Sequence, residues 1–281
     1  MKRVSVVMAC FNPQSDQLQL SIRSILNQSY KNMEIIIVDD GSDYPVEELI
    51  RQMFSDDRIK IFRIEHSGLG AALNYGIRHS EGDYIARLDD DDVMVSTRIE
   101  KQVEYLNHCP EVSCAGTWHY DKLNDKYYPH RKFPVDHENI IKSLLHFRFS
   151  LAHTTLMFRR TSFDKIGGYR ILGGGQDLDL ELQLGGVGRL ANIPEYLNYY
   201  TMSASGLGTV NPRKYQAYLF ALNEVKDKKM YLQYADITER SIAKLKGLSI
   251  NNNNNLRERF KRYCLISRIK LFGNKFNIAN L

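Results

Sequence analysis

The sequence predicts an α/β protein: a Rossmann-like, mostly parallel sheet with helices on both faces, followed by a helical C-terminal extension. Three observations predict it. Short β-branched runs alternate with segments of helical period through the first hundred residues. These runs carry little polarity inside them, as strands covered on both faces do. Two of them stop abruptly at acidic residues, Asp39-Asp40 and Asp89-Asp90-Asp91-Asp92. In open α/β sheets, ligands bind beyond the carboxyl ends of the strands.

Taken in order, Val4 to Ala9 is a continuous apolar run and the first strand. It is too short for a secretory h-region and leads straight into polar Asn12-Pro13-Gln14, so a signal peptide is not expected. Leu18, Ile22, Ile25 and Leu26 recur at helical spacing. Glu34 to Val38 is the second strand, Ile59 to Ile64 the third, Leu69 to Arg78 a helix rich in Ala and Leu, and Tyr84 to Leu88 the fourth strand. Thr97 and Glu100 have the spacing of a capping box, opening a helix through Ile99, Val103 and Leu106. Ser113 to His119 and Leu151 to Arg159 read as strands, and Gly173-Gly174-Gly175 precedes a helix that starts near Gln176-Asp177. From Asn211 the chain turns helical and charged, and Asn251 to Asn255 is low-complexity, which predicts a loop. The expected division is residues 1–110, 111–210 and 211–281.

Composition excludes more than it selects. At 281 residues, 43% hydrophobic and 25% charged, the chain is neither disordered nor membrane-spanning in character. No run approaches the roughly 18 apolar residues of a transmembrane helix, and a cytoplasmic location is expected. Cys10, Cys109, Cys114 and Cys264 lack paired spacing and read as reduced thiols, mostly buried. The net charge of +5 and pI near 8.9 suit nucleic acid, an anionic membrane or a phosphorylated substrate alike. No basic stretch is interleaved with aromatics on a recognisable nucleic-acid module, so nucleic acid is not an expected partner.

The chemistry concentrates in the carboxylates. Four consecutive aspartates at a strand end repel one another and raise each other's pKa unless a cation sits among them. A divalent ion, Mg²⁺ or Mn²⁺, resolves the conflict with hard oxygen ligands; a solvated acidic turn is the other reading. Neither a glycine-rich dinucleotide fingerprint nor a P-loop follows the first strand, which argues against a dehydrogenase or a P-loop kinase. Any bound diphosphate must then be neutralised chiefly by a metal, with Lys or Arg assisting. Asp177 falls where a helix N-terminus stabilises a carboxylate in its basic form. Alternatively, Asp177, Asp179 and Glu181 are the solvated face of that helix, a reading that fits Asp179 and Glu181 better. Apart from His153, the histidines show no metal-ligand spacing.

Four segments together resemble the family 2 glycosyltransferases of the GT-A fold. Val6 to Asn12 resembles their opening strand, Ile35 to Ser42 their second strand, Gly68 to Asn74 with Gly76 their glycine-containing helix entry, and Gly82 to Asp92 the strand leading to their D-x-D motif. The match runs from about residue 3 to 205. Ala152 to Arg159 and Gly167 to Arg170 resemble the middle region before the family's catalytic acidic dipeptide, which here reads Gln176-Asp177. The resemblance implies a nucleotide-sugar-binding half over 1–110, an acceptor-binding and catalytic half over 111–210, and a UDP-sugar donor. It implies that Ala9 and Phe11 line the base pocket, that Asp39 accepts a hydrogen bond from uracil, and that Asp90 holds the ribose. Asp91, with Asp89, would bind Mn²⁺ or Mg²⁺, and Asp177 would be the catalytic base. The other reading of Asp39 is a turn-former before Gly41. His153 and Gln176 are candidates for the acceptor or diphosphate site, His153 reading also as a structural histidine. Gln176 departs from the family's usual acid, and the Arg often found several residues later is absent.

The implied reaction is a single in-line displacement with inversion, moving a hexose or N-acetylhexosamine to a glycan hydroxyl in surface polysaccharide synthesis. A sugar nucleotidyltransferase would bring a glycine-rich basic loop after the first strand, which is missing. A non-catalytic nucleotide-sugar- or glycan-binding protein would have shed Asp177 or the aspartate run. Leu256 to Lys275 holds seven Lys or Arg against one Glu, with Phe260, Tyr263, Cys264 and Leu271 at helical spacing. This tail is expected to dock peripherally on an anionic membrane, near a lipid-linked acceptor, or else to pack on the domain or a second subunit.

Overall fold

The computed structural model describes residues 1–123, 126–202 and 212–250. The Asn251–Asn255 loop, Cys264 and the basic tail lie outside the described residues. Strand β1 (Val4–Cys10) leads to helix α1 (Ser15–Leu26), β2 (Met33–Asp39), α2 (Val46–Met53), β3 (Ile59–Arg63), α3 (Leu69–Arg78) and β4 (Tyr84–Arg87). Every residue of β1 and β2 is buried, as their continuous apolar runs require. One face packs on α3 through Val7, Ile36 and Val38, and the other on α1 through Val6, Met8, Ile35 and Ile37. Each such side chain contributes about 1.5–3 kcal/mol on burial.

The chain continues through β5 (Val93–Met94), α4 (Arg98–His108), β6 (Val112–Leu123), β7 (Lys126–Pro129), α5 (His137–Leu145), β8 (Met157–Arg159), α6 (Arg160–Ile166), α7 (Gln176–Val187) and β9 (Arg189–Thr201). One nine-stranded sheet results, in the order β3-β2-β1-β4-β8-β6-β9-β5, with β7 on β6. The first four strands in this order are parallel, and so are β6 and β9. Strand β8 runs antiparallel to both neighbours, as do β5 on β9 and β7 on β6. After the last strand come α8 (Pro212–Val225) and α9 (Ala235–Ile250). Ala221, Leu222, Val225, Ile242 and Leu245 join the core around α7, so this part of the extension is built into the domain.

Three expectations are corrected. The capping box fails: Thr97 caps no N–H with its side chain, Glu100 accepts from Ser29 Oγ instead, and the Ile99 N–H is taken by Gln28 Oε1 from the segment just after α1. A long-range amide has replaced the local cap. Leu151 to Arg159 is not one strand, because residues His153–Thr155 form a 3-10 turn and only Met157–Arg159 pairs. Thr155 Oγ1 bonds back to the Ala152 carbonyl, the local competition that threonine offers a strand. Asp179 and Glu181 are not solvated, since α7 is buried all round from Leu178 to Gly185. Asp179 is neutralised there by Arg170, whose guanidinium bonds both carboxylate oxygens, and Gln183 Nε2 donates to it at 2.8 Å.

Cys10 and Cys114 are buried free thiols, and Cys109 is a half-buried one. Among the described residues, no helix is long and apolar enough to cross a membrane.

Candidate active site

Parallel register brings the carboxyl ends of β1, β2 and β4 side by side: Cys10 lies opposite Asp39, and Val7 opposite Arg87. Everything that follows these strands therefore meets at one edge. Ala9 is buried, and Phe11 is 48% exposed just beyond the strand, its ring 4.3 Å from the His66 ring. Asp39 is buried; Oδ1 accepts the Ser42 N–H at 2.8 Å and Oδ2 accepts from Arg63 Nη1 at 3.0 Å. Asp40, for which sequence reasoning offered no role, accepts the N–H groups of Ser67 and Gly68 at 2.8 and 2.9 Å. That clamps the entry to α3 against β2. Gly41 permits the closure, because at φ +79° a Cβ would lie 2.7 Å from the His66 nitrogen.

The aspartate run is only partly exposed, and its carbonyls are tied down on two sides. Ser21 Oγ donates to the Asp90 carbonyl at 2.9 Å, Thr201 Oγ1 to the Asp91 carbonyl, and Asp92 Oδ1 accepts the Thr201 N–H at 2.8 Å. Burial first, then Asp89 and Asp91, pushes Asp90 up to about 7. Burial and Asp89 push Asp91 up to about 6. Asp92 is fully buried and raised as well, by burial, then Asp89 and Asp91. The mutual repulsion expected of the run is present, and desolvation exceeds it.

Arg87, at 2% exposure, pairs through Nη2 with Asp89, while its Nε and Nη1 have no partner among the described residues. Burial opposes this charge, but Asp89, with Tyr169 and Asp92 behind it, raises the guanidinium above its usual value. The same charge, added to burial, holds His153 well below the ordinary histidine range. The neutral ring hydrogen-bonds Tyr169 Oη at 2.9 Å. Thr154 Oγ1, next along the turn, accepts the Asp89 N–H at 3.1 Å. Deeper still, Arg98 is fully buried and bonds Gln102, Asn198 and the Arg87 carbonyl, joining α4, β9 and β4 beneath the aspartates. Burial lowers Arg98 to about 9.

The glycine loop has φ of +65°, +143° and +69° at Gly173, Gly174 and Gly175, a succession that side-chain-bearing residues rarely adopt. It delivers Gln176 and Asp177 as the first residues of α7. Asp177 is half-buried, and its Oδ1 has no hydrogen-bond partner among the described residues. An unpaired carboxylate oxygen at a helix start is a competent proton acceptor.

A sequence profile described as "Glycosyl transferase family 2" matches residues 5–167. The chain belongs to this family. The O-antigen biosynthesis glycosyltransferase WbnJ of Escherichia coli is 33% identical over 184 residues, covering 64% of this chain and 71% of that protein. Two uncharacterised Rickettsia glycosyltransferases, 25% and 26% identical over 95% of this chain, are longer, and the chain spans 47% and 46% of their length. Among solved structures, S. aureus TarS 1–349 in complex with UDP-GlcNAc matches at TM-score 0.70 and 14% identity, over 92% of this chain and 78% of that one. The mannosyltransferase PcManGT of Pyrobaculum calidifontis, in complex with GDP-Man and Mn²⁺, matches at TM-score 0.64 and 15% identity, over 98% and 88%. At such identity the likeness shows the GT-A fold alone.

In this family 2 glycosyltransferase, the residues named from sequence fall into two groups. Ala9, Phe11, Asp39 and Asp89 to Asp92 share the sheet edge, with His153 beside Arg87 and Tyr169; Asp177 and Gln176 open α7. Missed were Arg87, Arg98, Asp40, Thr154, Thr201 and Tyr169, all of which act by supporting another residue. For Arg87 a signal existed: an arginine in an otherwise apolar strand needs an anion nearby. The others had none, because their partners are far away in sequence.

Proposed function

We propose that this family 2 glycosyltransferase moves a hexose or N-acetylhexosamine from a UDP-sugar to an acceptor hydroxyl with inversion. The observation that carries the proposal is the aspartate run, whose half-buried carboxylates stand raised to about 7 and 6 at Asp90 and Asp91 beside a sheet edge whose first strand is followed by no glycine cradle. Such a hard-oxygen set fits Mn²⁺ or Mg²⁺ held by Asp91 and Asp89, an ion that when bound would neutralise charge on the leaving diphosphate. Phe11 and Ala9 would bound the base. Asp39 would accept a uracil N–H through lone pairs left free by Ser42 and Arg63, a carboxylate offering about four such positions. Asp90 would hold the ribose.

Asp177 would take the acceptor proton as the anomeric carbon is displaced in line. One base suffices for inversion, whereas retention by double displacement needs a second carboxylate on the other face of the sugar. His153 and Gln176 would border the diphosphate or acceptor. The name of the E. coli relative supports a surface-polysaccharide acceptor. A lipid-linked acceptor fits the basic tail, which would hold the enzyme peripherally on the inner face of the cell membrane.

A donor screen with UDP-, GDP- and dTDP-sugars, reading nucleotide release, tests the donor assignment: release is expected from a UDP-hexose or UDP-N-acetylhexosamine. Release only from a GDP-sugar would overturn the role of Asp39. For the tail, sedimentation with anionic liposomes should fall with salt and vanish when residues 256–281 are deleted. Equal partitioning of the truncated and full-length proteins would refute membrane docking.

A further inference from the structure

Among the described residues, one group of three metal-ligating side chains brings its ligand atoms together: His119, Asp121 and His130. His119 and Asp121 stand two apart on β6 and share its face. The hairpin returns His130 to them, since Tyr120 pairs with Pro129 and the His130 N–H donates to the His119 carbonyl at 3.0 Å. His119 Nε2 lies 3.3 Å from Asp121 Oδ1, and His130 Nδ1 lies 2.8 Å from Asp121 Oδ2. One ligand atom from each residue lies within 4.8 Å of the other two. The two imidazoles stack at 4.4 Å, and Phe133 covers both at 5.5 and 5.1 Å. His119 and Asp121 side chains are 2% and 7% exposed, and His130, at 11%, keeps an opening to solvent.

We propose that His119, Asp121 and His130 form a second metal site, selective for a borderline transition ion such as Zn²⁺. Two imidazoles and a carboxylate are the donor set that Zn²⁺ takes, whereas an all-carboxylate set suits Mg²⁺ or Mn²⁺. Ligands about 2.1 Å from a tetrahedral ion stand about 3.4 Å apart. The two imidazoles face different oxygens of Asp121, at 3.3 and 2.8 Å, and with one ligand atom from each residue already within 4.8 Å of the others, the three would close around an ion by about an ångström. His119 Nε2 and His130 Nδ1, the nitrogens that face Asp121, would be the ligand atoms, each presenting a lone pair once the ring N–H sits on the other nitrogen. Water on the open side of His130 supplies the fourth position. The site lies beside the end of β9, where Asp121 pairs with Tyr200 and the next residue, Thr201, holds Asp91 and Asp92. Occupancy would brace the wall of the aspartate cluster without entering the reaction.

The test uses the whole chain, stripped with chelator and kept in excess Mg²⁺ so that the aspartate cluster does not compete. Co²⁺ alone should give the intense visible bands of a low-coordinate imidazole site at one equivalent per chain. Zn²⁺ should displace it and raise the unfolding midpoint. His130→Gln should lose the bands and weaken Zn²⁺ binding at least tenfold while keeping the wild-type circular dichroism. Absence of stoichiometric Co²⁺ bands in the wild type overturns the proposal, and so does a folded His130→Gln variant with an unchanged spectrum. If His130→Gln fails to fold, the wild-type titration alone decides.

Discussion

The two halves of the sheet handle polarity differently. In the parallel half, polar groups sit at strand ends: Ser5 and Glu34 bond each other at 2.7 Å near the start of β1 and β2, and Asp39 and Arg87 close β2 and β4. In the mixed half they sit mid-strand, with Thr117, His119 and Asp121 buried in β6 and Asn192 and Asn198 in β9. Register shifts at Val112/Cys114, Thr117/Trp118 and Trp118/His119 interrupt β6 against β9. Side chains then supply what the ladder does not: Thr155 Oγ1 accepts the Thr117 N–H at 3.1 Å, and Gln102 Nε2 donates to the Ala115 and Thr155 carbonyls at 2.9 and 2.8 Å. A saturated parallel sheet keeps its chemistry for its edge, while an irregular one buries polar groups to complete its backbone bonding.

This contrast predicts that edge substitutions cost activity and interior ones cost stability. The largest effect is expected at the parallel edge, where Asp91→Asn, or EDTA on the wild type, should abolish transfer and weaken donor binding. Full turnover in EDTA would break the assignment of that edge to metal and diphosphate. Asp177→Asn should lower turnover by about 10²–10⁴ and leave donor affinity nearly intact by calorimetry; affinity collapsing along with rate would make Asp177 part of the donor site.

Substitutions behind the edge should register in unfolding. Arg98→Met strands Gln102, Asn198 and the Arg87 carbonyl, each worth roughly 1 kcal/mol or more, so a loss of about 3 kcal/mol is expected in urea. A loss below about 1 kcal/mol would mean that the network carries no stability. Gly175→Ala combines a left-handed φ of +69° with a Cβ only 3.0 Å from the Tyr218 ring, and should cost about 1–2 kcal/mol together with some turnover through the shifted start of α7. An unchanged midpoint would show that the loop has freedom to spare.

The smallest effect concerns His137, whose Nδ1 accepts the Leu190 N–H at 3.0 Å and which burial, then Arg189, holds below the usual histidine value of 6.5. The neutral ring is needed for that bond. Its contribution is complete above pH 6.5 and is lost as pH falls through the depressed folded value, because the unfolded chain takes up the proton first. His137→Gln should cost about 1 kcal/mol at pH 8 and flatten the fall in stability toward pH 5. An identical pH slope in wild type and variant would remove His137 from that account.

By itself, the sequence determined the elements whose physics is local. The buried runs of β1 and β2 show as unbroken apolar stretches, α3 as an Ala- and Leu-rich segment recovered from Leu69 to Arg78, and the candidate edge as aspartates directly after strands. Only the tertiary structure decided who pairs with whom. Asp179 looked solvated because an aspartate on a helix normally is, until Arg170 neutralised it. His119 and His130, eleven residues apart, carried no recognisable ligand spacing until a hairpin register set them around Asp121. Thr97 looked like a cap until Gln28, from the segment after α1, took the bond at Ile99. The physical reason is the same in each case: a hydrophobic period specifies a face wherever it is written, whereas a buried polar group is permitted only by a partner, and that partner comes from wherever the folded chain brings it.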